Sequence, residues 1–455
     1  MMPLMVSVSG IRGVIGESLH PENLVRYTAA YATWCRRKQG PGAVVIGRDG
    51  RPSGRMLTDL VKAVLSACGL DTIDLGLSTT PGCAMAVKAK DAVGGIVLTA
   101  SHNPAPWNAL KFLDSDGNFL SPEDGKAVLV LEEEGSFDWM GHEHLGSYER
   151  WKAADRHHID SILALDTVCG EKIAGSGLKA VVDAVNASGS KVMPELLRSL
   201  GVEVHPLYCD ASGIFPHEPE PTPAHLGDLS EAVISEKADL GIALDPDSDR
   251  LVLVDETGKV LSEEYTLALS ANYYLSLKPG PVAANLSSSR MIEDVAAKYG
   301  QSCQRSPVGE AHVVALMKES GALIGGEGNG GVILPELHAG RDGLLGAALI
   351  LSAMAQSGKK LSELAAELPA YTMEKRKIVL NKPAVPAQLQ EFLQEHLAGE
   401  LDLRDGVRSD QQEGWLHVRA SNTEAILRII GESSDGIWLA SQLDAVEALV
   451  RKHLT

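Results

Sequence analysis

The chain has 455 residues, enough for about three domains of ~100–200 residues each, with two or four also admissible. Its 44% apolar and 22% charged residues fit a packed globular protein and exclude a disordered chain, and its 45 glycines follow no G-x-y period, which excludes collagen. With 41 Lys+Arg against 60 Asp+Glu the net charge is −19, a field that disfavours nucleic acid and anionic membranes but still allows a small phosphorylated ligand in a local basic pocket.

Aromatic residues are only 4% of the chain, so its cores are expected to be aliphatic. The six cysteines (Cys35, Cys68, Cys83, Cys169, Cys209 and Cys303) include no C-x-x-C pair, the usage of a reduced, cytosolic chain. Met1 to Arg12 lacks the basic and apolar blocks of a signal peptide. The most apolar long stretch, Gly343 to Gly358, is too short and too rich in small residues to span a bilayer. The expectation is a soluble, cytoplasmic protein.

In chain order, Ala43 to Ile46 reads as a buried strand and Gly54 to Cys68 as a helix, with Met56, Leu60, Val61, Val64 and Leu65 near helical spacing. Gly95 to Leu98 is a strand. A polar helical stretch at Tyr148 to Asp160 is expected to join a first domain to a second. Leu178 to Val185 and Val202 to Leu207 read as strands around a helix at Val192 to Leu200. Leu240 to Leu244 and Leu251 to Val254 are apolar strands. Helix-breaking residues fall at Leu277 to Pro281, followed by a strand at Val282 to Asn285 and helices at Met291 to Tyr299 and Gly309 to Lys318. Leu368 to Lys377 reads as a link to a smaller last domain, with strands at Lys377 to Leu380 and Ala425 to Ile430 and a closing helix at Ala440 to Leu454. Repeated strand–helix–strand units imply α/β layers with parallel or mixed sheets. The tetrapeptide G-R-D-G occurs twice, at Gly47 to Gly50 and Gly340 to Gly343.

Four loops contain residues suited to chemistry. Thr99-Ala100-Ser101-His102-Asn103-Pro104 follows a strand, where open α/β sheets place ligands. Ser101 is a candidate nucleophile, His102 a neighbouring acid/base, and Lys111 a phosphate partner or proton donor. The G-x-S-x-G elbow of a serine hydrolase is missing, and a plain polar turn fits the same residues. Asp245-Pro246-Asp247-Ser248-Asp249-Arg250 sets three carboxylates at alternate positions, a natural cage for Mg²⁺ or Ca²⁺. An EF-hand fails because Arg250 takes the glycine position; a solvated acidic turn is the plainer alternative. The glycine-rich Gly325 to Gly331 offers Glu327 and Asn329 to sugar hydroxyls and is not a Walker A loop. Arg419-Ala420-Ser421-Asn422-Thr423-Glu424, with Arg428 beyond, combines donors for an oxyanion, although a turn before a strand reads equally well.

Taken in order, T-A-S-H-N-P, D-P-D-S-D-R, the G-E-x-x-G loop and R-x-S-N-T-E, with Ser9-Gly10-Ile11-Arg12-Gly13 and Gly47 to Gly54, resemble the α-D-phosphohexomutase superfamily over nearly the whole chain. The resemblance implies an α/β protein of four domains around a central cleft. Three would be related α/β mixed-sheet domains (1–150, 151–255 and 256–368), and the fourth a smaller C-terminal α+β domain (369–455). It implies that Ser101 carries a phosphoryl group, that Asp245, Asp247 and Asp249 hold Mg²⁺ together with the phosphoryl oxygen on Ser101, and that Glu327 and Asn329 contact sugar hydroxyls. Arg419, Ser421, Asn422, Thr423 and Arg428 would hold the phosphate not being transferred. Arg12, Lys111 and Arg250 would line the transfer end, with Lys111 or His102 as acid/base. Pro307 to His312 resembles the superfamily's sugar-sorting loop, so His312 is expected near the ring.

The implied reaction is interconversion of hexose 6-phosphate and hexose 1-phosphate through phosphoserine and a hexose 1,6-bisphosphate, which also serves as activator. The S-G-I-R-G start, Pro104 to Lys111 and G-E-G-N-G-G resemble members labelled phosphoglucosamine mutases. Phosphomannomutase and phosphoglucomutase are the alternatives, and a Mg²⁺-dependent sugar phosphatase a further one. Gly331 stands where many relatives have His, Asn329 where they have Ser, Trp107 where Tyr is frequent, and Ala420 and Ala425 where Pro is common. The expected partner is a small sugar phosphate, with no nucleic acid or membrane, in a monomer or homodimer.

Overall fold

The computed structural model describes residues 4–7, 10–380, 385–420 and 426–454. They form four sheets. The first has seven strands, in the order Met5–Ser7, Gly10–Val14, Trp107–Leu113, Gly94–Leu98, Ala43–Arg48, Asp71–Leu77 and Tyr148–Arg150. Its three central strands are buried between helices, and side-chain alternation assigns their two faces. Val44, Ile46, Ile96 and Leu98 pack with helices Pro21–Gln39 and Gly54–Ala67. Val45 and Val97 pack with helix Thr80–Ala89 on the other side.

The second sheet runs Leu251–Asp255, Leu240–Leu244, Lys179–Asp183, Glu203–Tyr208. The third runs Cys303–Ser306, Val282–Asn285, Ile324–Glu327, Gly331–Leu334, His338–Arg341. Both combine parallel and antiparallel pairs. One continuous aliphatic core joins them. At its centre lies helix Gly343–Ser357, buried along most of its length, which explains its all-round apolar sequence. Among the described residues no helix is long and apolar enough to cross a membrane.

The C-terminal sheet is antiparallel throughout, in the order Thr372–Val379, Ile426–Ser433, Gly414–Ala420, Val407–Asp410, Glu400–Asp402. It packs on helices Pro386–Gln394 and Gly436–Leu454 through an aliphatic core of its own. The protein is therefore three mixed-sheet α/β domains followed by a smaller α+β domain.

Two expectations are corrected. Tyr148–Arg150 is an edge strand, parallel to Asp71–Leu77, and the helix begins only at Ala154. Asp74 draws the strand in, accepting from the Tyr148 hydroxyl at 3.0 Å and pairing with Arg150 at 3.0 Å. The expected link at Leu368 to Lys377 overlaps the strand Thr372–Val379. Its run of Glu374, Lys375, Arg376 and Lys377 hides the strand pattern, but backbone pairing to Ile426–Ser433 continues along all of it.

Candidate active site

The turn Thr99 to Asn103 follows the buried strand Gly94–Leu98. Ser101 is 3% exposed and has φ +49°, a left-handed conformation that costs a non-glycine residue about 1–3 kcal/mol unless its surroundings over-determine it. Its hydroxyl donates to Asp245 Oδ2 at 2.8 Å and lies 3.4 Å from His102 Nδ1. The nearby Arg250 charge, burial and Arg12 together hold the His102 pKa well below the usual imidazole range. Lys111 projects from the adjoining antiparallel strand Trp107–Leu113, its ammonium 2.7 Å from Asp247 Oδ2. Arg12 comes from the next strand over and donates to Asn103 Oδ1 at 2.7 Å.

Asp245 to Arg250 is the tight connection between the antiparallel strands Leu240–Leu244 and Leu251–Asp255. Ser248 makes the reversal at φ +58°. All three aspartates are fully buried, with one oxygen from each inside a 4.8 Å cluster. Asp247 Oδ1 and Asp249 Oδ1 have no hydrogen-bond partner. Burial, then the charges of Asp249 and Asp247, push Asp245 well above the usual carboxylate range. Burial also acts to raise Asp247, but the Lys111 ammonium and hydrogen bonds from Lys111 and Thr80 outweigh it and hold that group low. Buried like charges with unpartnered, converging hard oxygens fit a divalent cation that prefers oxygen ligands.

The glycine-rich loop joins this site through Arg341. The guanidinium reaches Asp249 at 2.6 Å, Glu310 at 2.8 Å and Glu327 at 3.0 Å. Glu327 Oε1 also accepts from Asn285 Nδ2 at 2.7 Å and the Gly309 amide at 3.0 Å. Asn329 Oδ1 is buried and has no partner. The same holds for Oε1 of Glu264, whose other oxygen accepts from the Ser289 amide at 2.9 Å. Burial pushes the Glu264 pKa up to about 8.

His312 is not brought to the cleft wall. It is exposed on helix Glu310–Ser320, and Val308 is the residue of that segment that lines the cleft. Residues 310 and 312 stand two positions apart on a helix, about 200° around its axis, so burying Glu310 against Arg341 turns His312 outward. Sequence reading missed Glu264, Glu310, Arg341 and Lys375. Arg341 was within reach, because it belongs to the second G-R-D-G.

In the C-terminal domain Lys377, Arg428 and Arg419 are directly opposite one another on three adjacent strands. Like charges in cross-strand register repel. Within this row Arg419 pairs with Asp405 at 3.1 Å. Ser421, Asn422 and Thr423 lie outside the described residues.

Three family models match the chain in order: phosphoglucomutase/phosphomannomutase α/β/α domain I over residues 4–137, domain II over 156–258 and domain III over 262–371. A protein named "Probable phosphoglucosamine mutase" from Methanopyrus kandleri is 38% identical over 432 residues, covering 93% of each chain. The chain belongs to the α-D-phosphohexomutase superfamily. A second relative, "Phosphoglucomutase/phosphomannomutase" from Thermococcus kodakarensis, is 36% identical over 430 residues, again covering 93% of each. The crystal structure of a phosphoglucomutase/phosphomannomutase family protein from Burkholderia thailandensis superposes with a TM-score of 0.83 at 28% identity, covering 98% of both chains. Phosphohexomutases are isomerases that act by intramolecular phosphoryl transfer.

In this phosphohexomutase the loops meet at a cleft of ≈ 670 Å³ lined by all four domains. Arg12, Arg250, Lys375, Lys377, Arg419 and Arg428 face it, against Glu220, Glu264 and Glu327. The balance is cationic in a chain of net charge −19, so the field of the molecule is locally inverted where an anionic ligand would sit.

Proposed function

We propose that the protein converts glucosamine 6-phosphate to glucosamine 1-phosphate, using Mg²⁺, a phosphoserine at Ser101 and a hexose 1,6-bisphosphate that is both intermediate and activator. The observation that carries this reading is the Ser101 hydroxyl 2.8 Å from Asp245, at the mouth of a buried three-aspartate cluster with open oxygens. Asp245, Asp247, Asp249 and the Ser101 oxygen would hold the cation. Bound there, the cation neutralises charge that grows on the transferring phosphoryl oxygens. The division of the chain at 150/151, 255/256 and 368/369 goes with this reading. It is supported by sheets spanning 5–150, 179–255, 282–341 and 372–433.

Phosphoryl transfer depends mainly on positioning and charge. Arg12 and Arg250 line the transfer end, beside the phosphoryl group carried by Ser101. A sugar hydroxyl oxygen attacks the phosphorus on Ser101, the bond from phosphorus to Ser101 Oγ breaks, and the hydroxyl proton passes by way of His102 to the leaving Oγ, 3.4 Å from Nδ1. His102 is within reach of Ser101 Oγ, whereas Lys111 is engaged by Asp247. Glu327 and Asn329 orient the ring. Arg419 and Arg428, with Ser421, Asn422 and Thr423, hold the phosphate not being transferred. The bisphosphate then turns end for end, and its other phosphoryl group returns to Ser101. The open oxygens of Asn329 and Glu264 favour a donor-rich ring substituent such as an ammonium. The name of the Methanopyrus relative supports the same substrate. Six free cysteines and the acidic net charge support a cytoplasmic enzyme, acting as a monomer or homodimer.

A coupled assay with the 6-phosphates of glucosamine, glucose and mannose tests the reading. The expected result is the highest kcat/KM for glucosamine 6-phosphate. Equal turnover of all three would remove the substrate assignment. Release of inorganic phosphate without isomerisation would remove the mutase.

A further inference from the structure

The segment Gly47 to Gly54 has no part in the mechanism above, yet it carries the most heavily bonded side chain near Ser101. Arg51 is fully buried. Its Nε donates to Asp49 Oδ2 at 2.9 Å. Its Nη1 donates to the carbonyls of Pro104 at 2.7 Å and Trp107 at 3.0 Å. Its Nη2 donates to those of Ser101 and Asn103, both at 2.6 Å. A guanidinium has five N–H donors in a fixed plane, and every one is used, three of them on the loop that carries Ser101 and a fourth on Trp107, where the next strand begins.

The other end of the Ser101 residue is held by the same group of side chains. The Ser101 amide donates to Thr99 Oγ1 at 2.9 Å, and the Thr99 hydroxyl donates to Asp49 Oδ2 at 2.7 Å. The carbonyl of Ser101 is thus fixed by Arg51 and its amide by Asp49 through Thr99. This is the over-determination that a left-handed serine requires. Arg51 also stands 5.0 Å from the centre of the Phe215 ring, on the domain that carries the aspartate cluster. The backbones are in close contact beside it: a Cβ on Gly213 would stand 1.7 Å from the Gly50 carbonyl oxygen, and one on Gly50 2.9 Å from Ala187 Cα.

We infer that Arg51 is a positioning residue for phosphoryl transfer: it clamps Ser101 in the conformation that aims Oγ at Asp245 and aligns the serine loop with the metal-loop domain. The inference rests on the mutase reading. A lysine retains the charge but has three donors and no plane, so it cannot reproduce the clamp.

The test compares wild type with Arg51→Lys and Thr99→Val. It follows phosphoryl uptake onto Ser101 from glucose 1,6-bisphosphate by quenched-flow intact-mass spectrometry, affinity for glucosamine 6-phosphate by calorimetry, and Tm. Arg51→Lys is expected to slow uptake roughly 100-fold, the scale of an ångström-sized misplacement, with affinity held within about threefold. Thr99→Val should show the same split to a smaller degree. Uptake within about threefold of wild type in folded Arg51→Lys overturns the inference, as does a joint loss of uptake and affinity, which a purely structural role would give. Should Arg51→Lys fail to fold, Thr99→Val decides alone by the same criteria. If wild type takes up no phosphoryl group, the mutase reading falls and this inference with it. If wild type does and the variants keep pace, only the role of Arg51 falls.

Discussion

Ser101 Oγ and Asp245 Oδ2 lie 2.8 Å apart although 144 residues separate them in the chain. Each lies in the loop that follows a strand of a different domain, and the contact exists only because the two sheets present their carboxyl ends to one cleft. The seam is tied beside it, where the Thr80 amide donates to the Asp247 carbonyl at 2.9 Å and its hydroxyl to Asp247 Oδ2 at 2.6 Å. Ser101→Ala is expected to leave the fold intact and reduce isomerisation at least about 1,000-fold, as loss of a covalent nucleophile does. Intact-mass spectrometry should show no phosphoryl adduct on that variant. An adduct of undiminished abundance would place the nucleophile elsewhere.

The aspartate cluster should respond to divalent cations in stability as well as rate. EDTA is expected to abolish turnover, and Mg²⁺ to restore it and raise Tm, by about 2.7 kcal/mol of added stability at a hundredfold excess over Kd. Asp245→Asn removes a carboxyl whose ionisation burial, Asp249 and Asp247 all oppose. Its Tm without Mg²⁺ should equal or exceed that of wild type, while the Mg²⁺-dependent rise is lost. Scanning calorimetry with and without the ion checks both halves.

Glu264 predicts a pH dependence. Burial raises its folded pKa to about 8, above the ordinary value of 4.5, so the folded state binds more protons between those values. That contribution is fully present below pH 4.5 and is lost as pH rises through 8. Wild type should therefore lose stability relative to Glu264→Gln across this interval, on the order of a few kcal/mol. Urea midpoints of both proteins at pH 5, 7 and 9 measure the difference. Parallel curves would show that Glu264 ionises normally.

Arg341 balances three carboxylates, Asp249, Glu310 and Glu327. Arg341→Ala strands them in the interior and should cost roughly 3–5 kcal/mol. Adding Glu310→Gln removes one of the stranded charges and should recover part of the loss. Denaturant titration of the single and double variants reads the coupling. Strict additivity would show that Glu310 and Arg341 do not interact.

The main strands and the helices around the first two loops were legible because their signals are local. Ala43 to Ile46 and Gly94–Leu98 are continuous apolar runs, as strands covered on both faces must be. Gly54–Ala67 keeps its helical spacing. Tyr148–Arg150 was not legible, since an edge strand three residues long is defined by its partner Asp74 rather than by its own pattern. His312 was misplaced by motif position. Where a helix turns that side chain depends on Glu310 finding Arg341, which lies 31 residues further on.

Within the site, the chain order of T-A-S-H-N-P, D-P-D-S-D-R and the glycine-rich loop identified Ser101, Asp245, Asp247, Asp249 and Glu327 as candidates, because each motif concentrates its functional groups within a few residues. The sequence by itself determined the α/β architecture, the superfamily and those residue types. The tertiary structure decided which groups meet: Arg51 around the Ser101 loop, Lys111 on Asp247, Arg341 among three acids, and Glu264 with an open oxygen in the cleft wall. These are contacts between separate strands and loops, with energies set by burial and by partners far away in the chain. No local pattern records them.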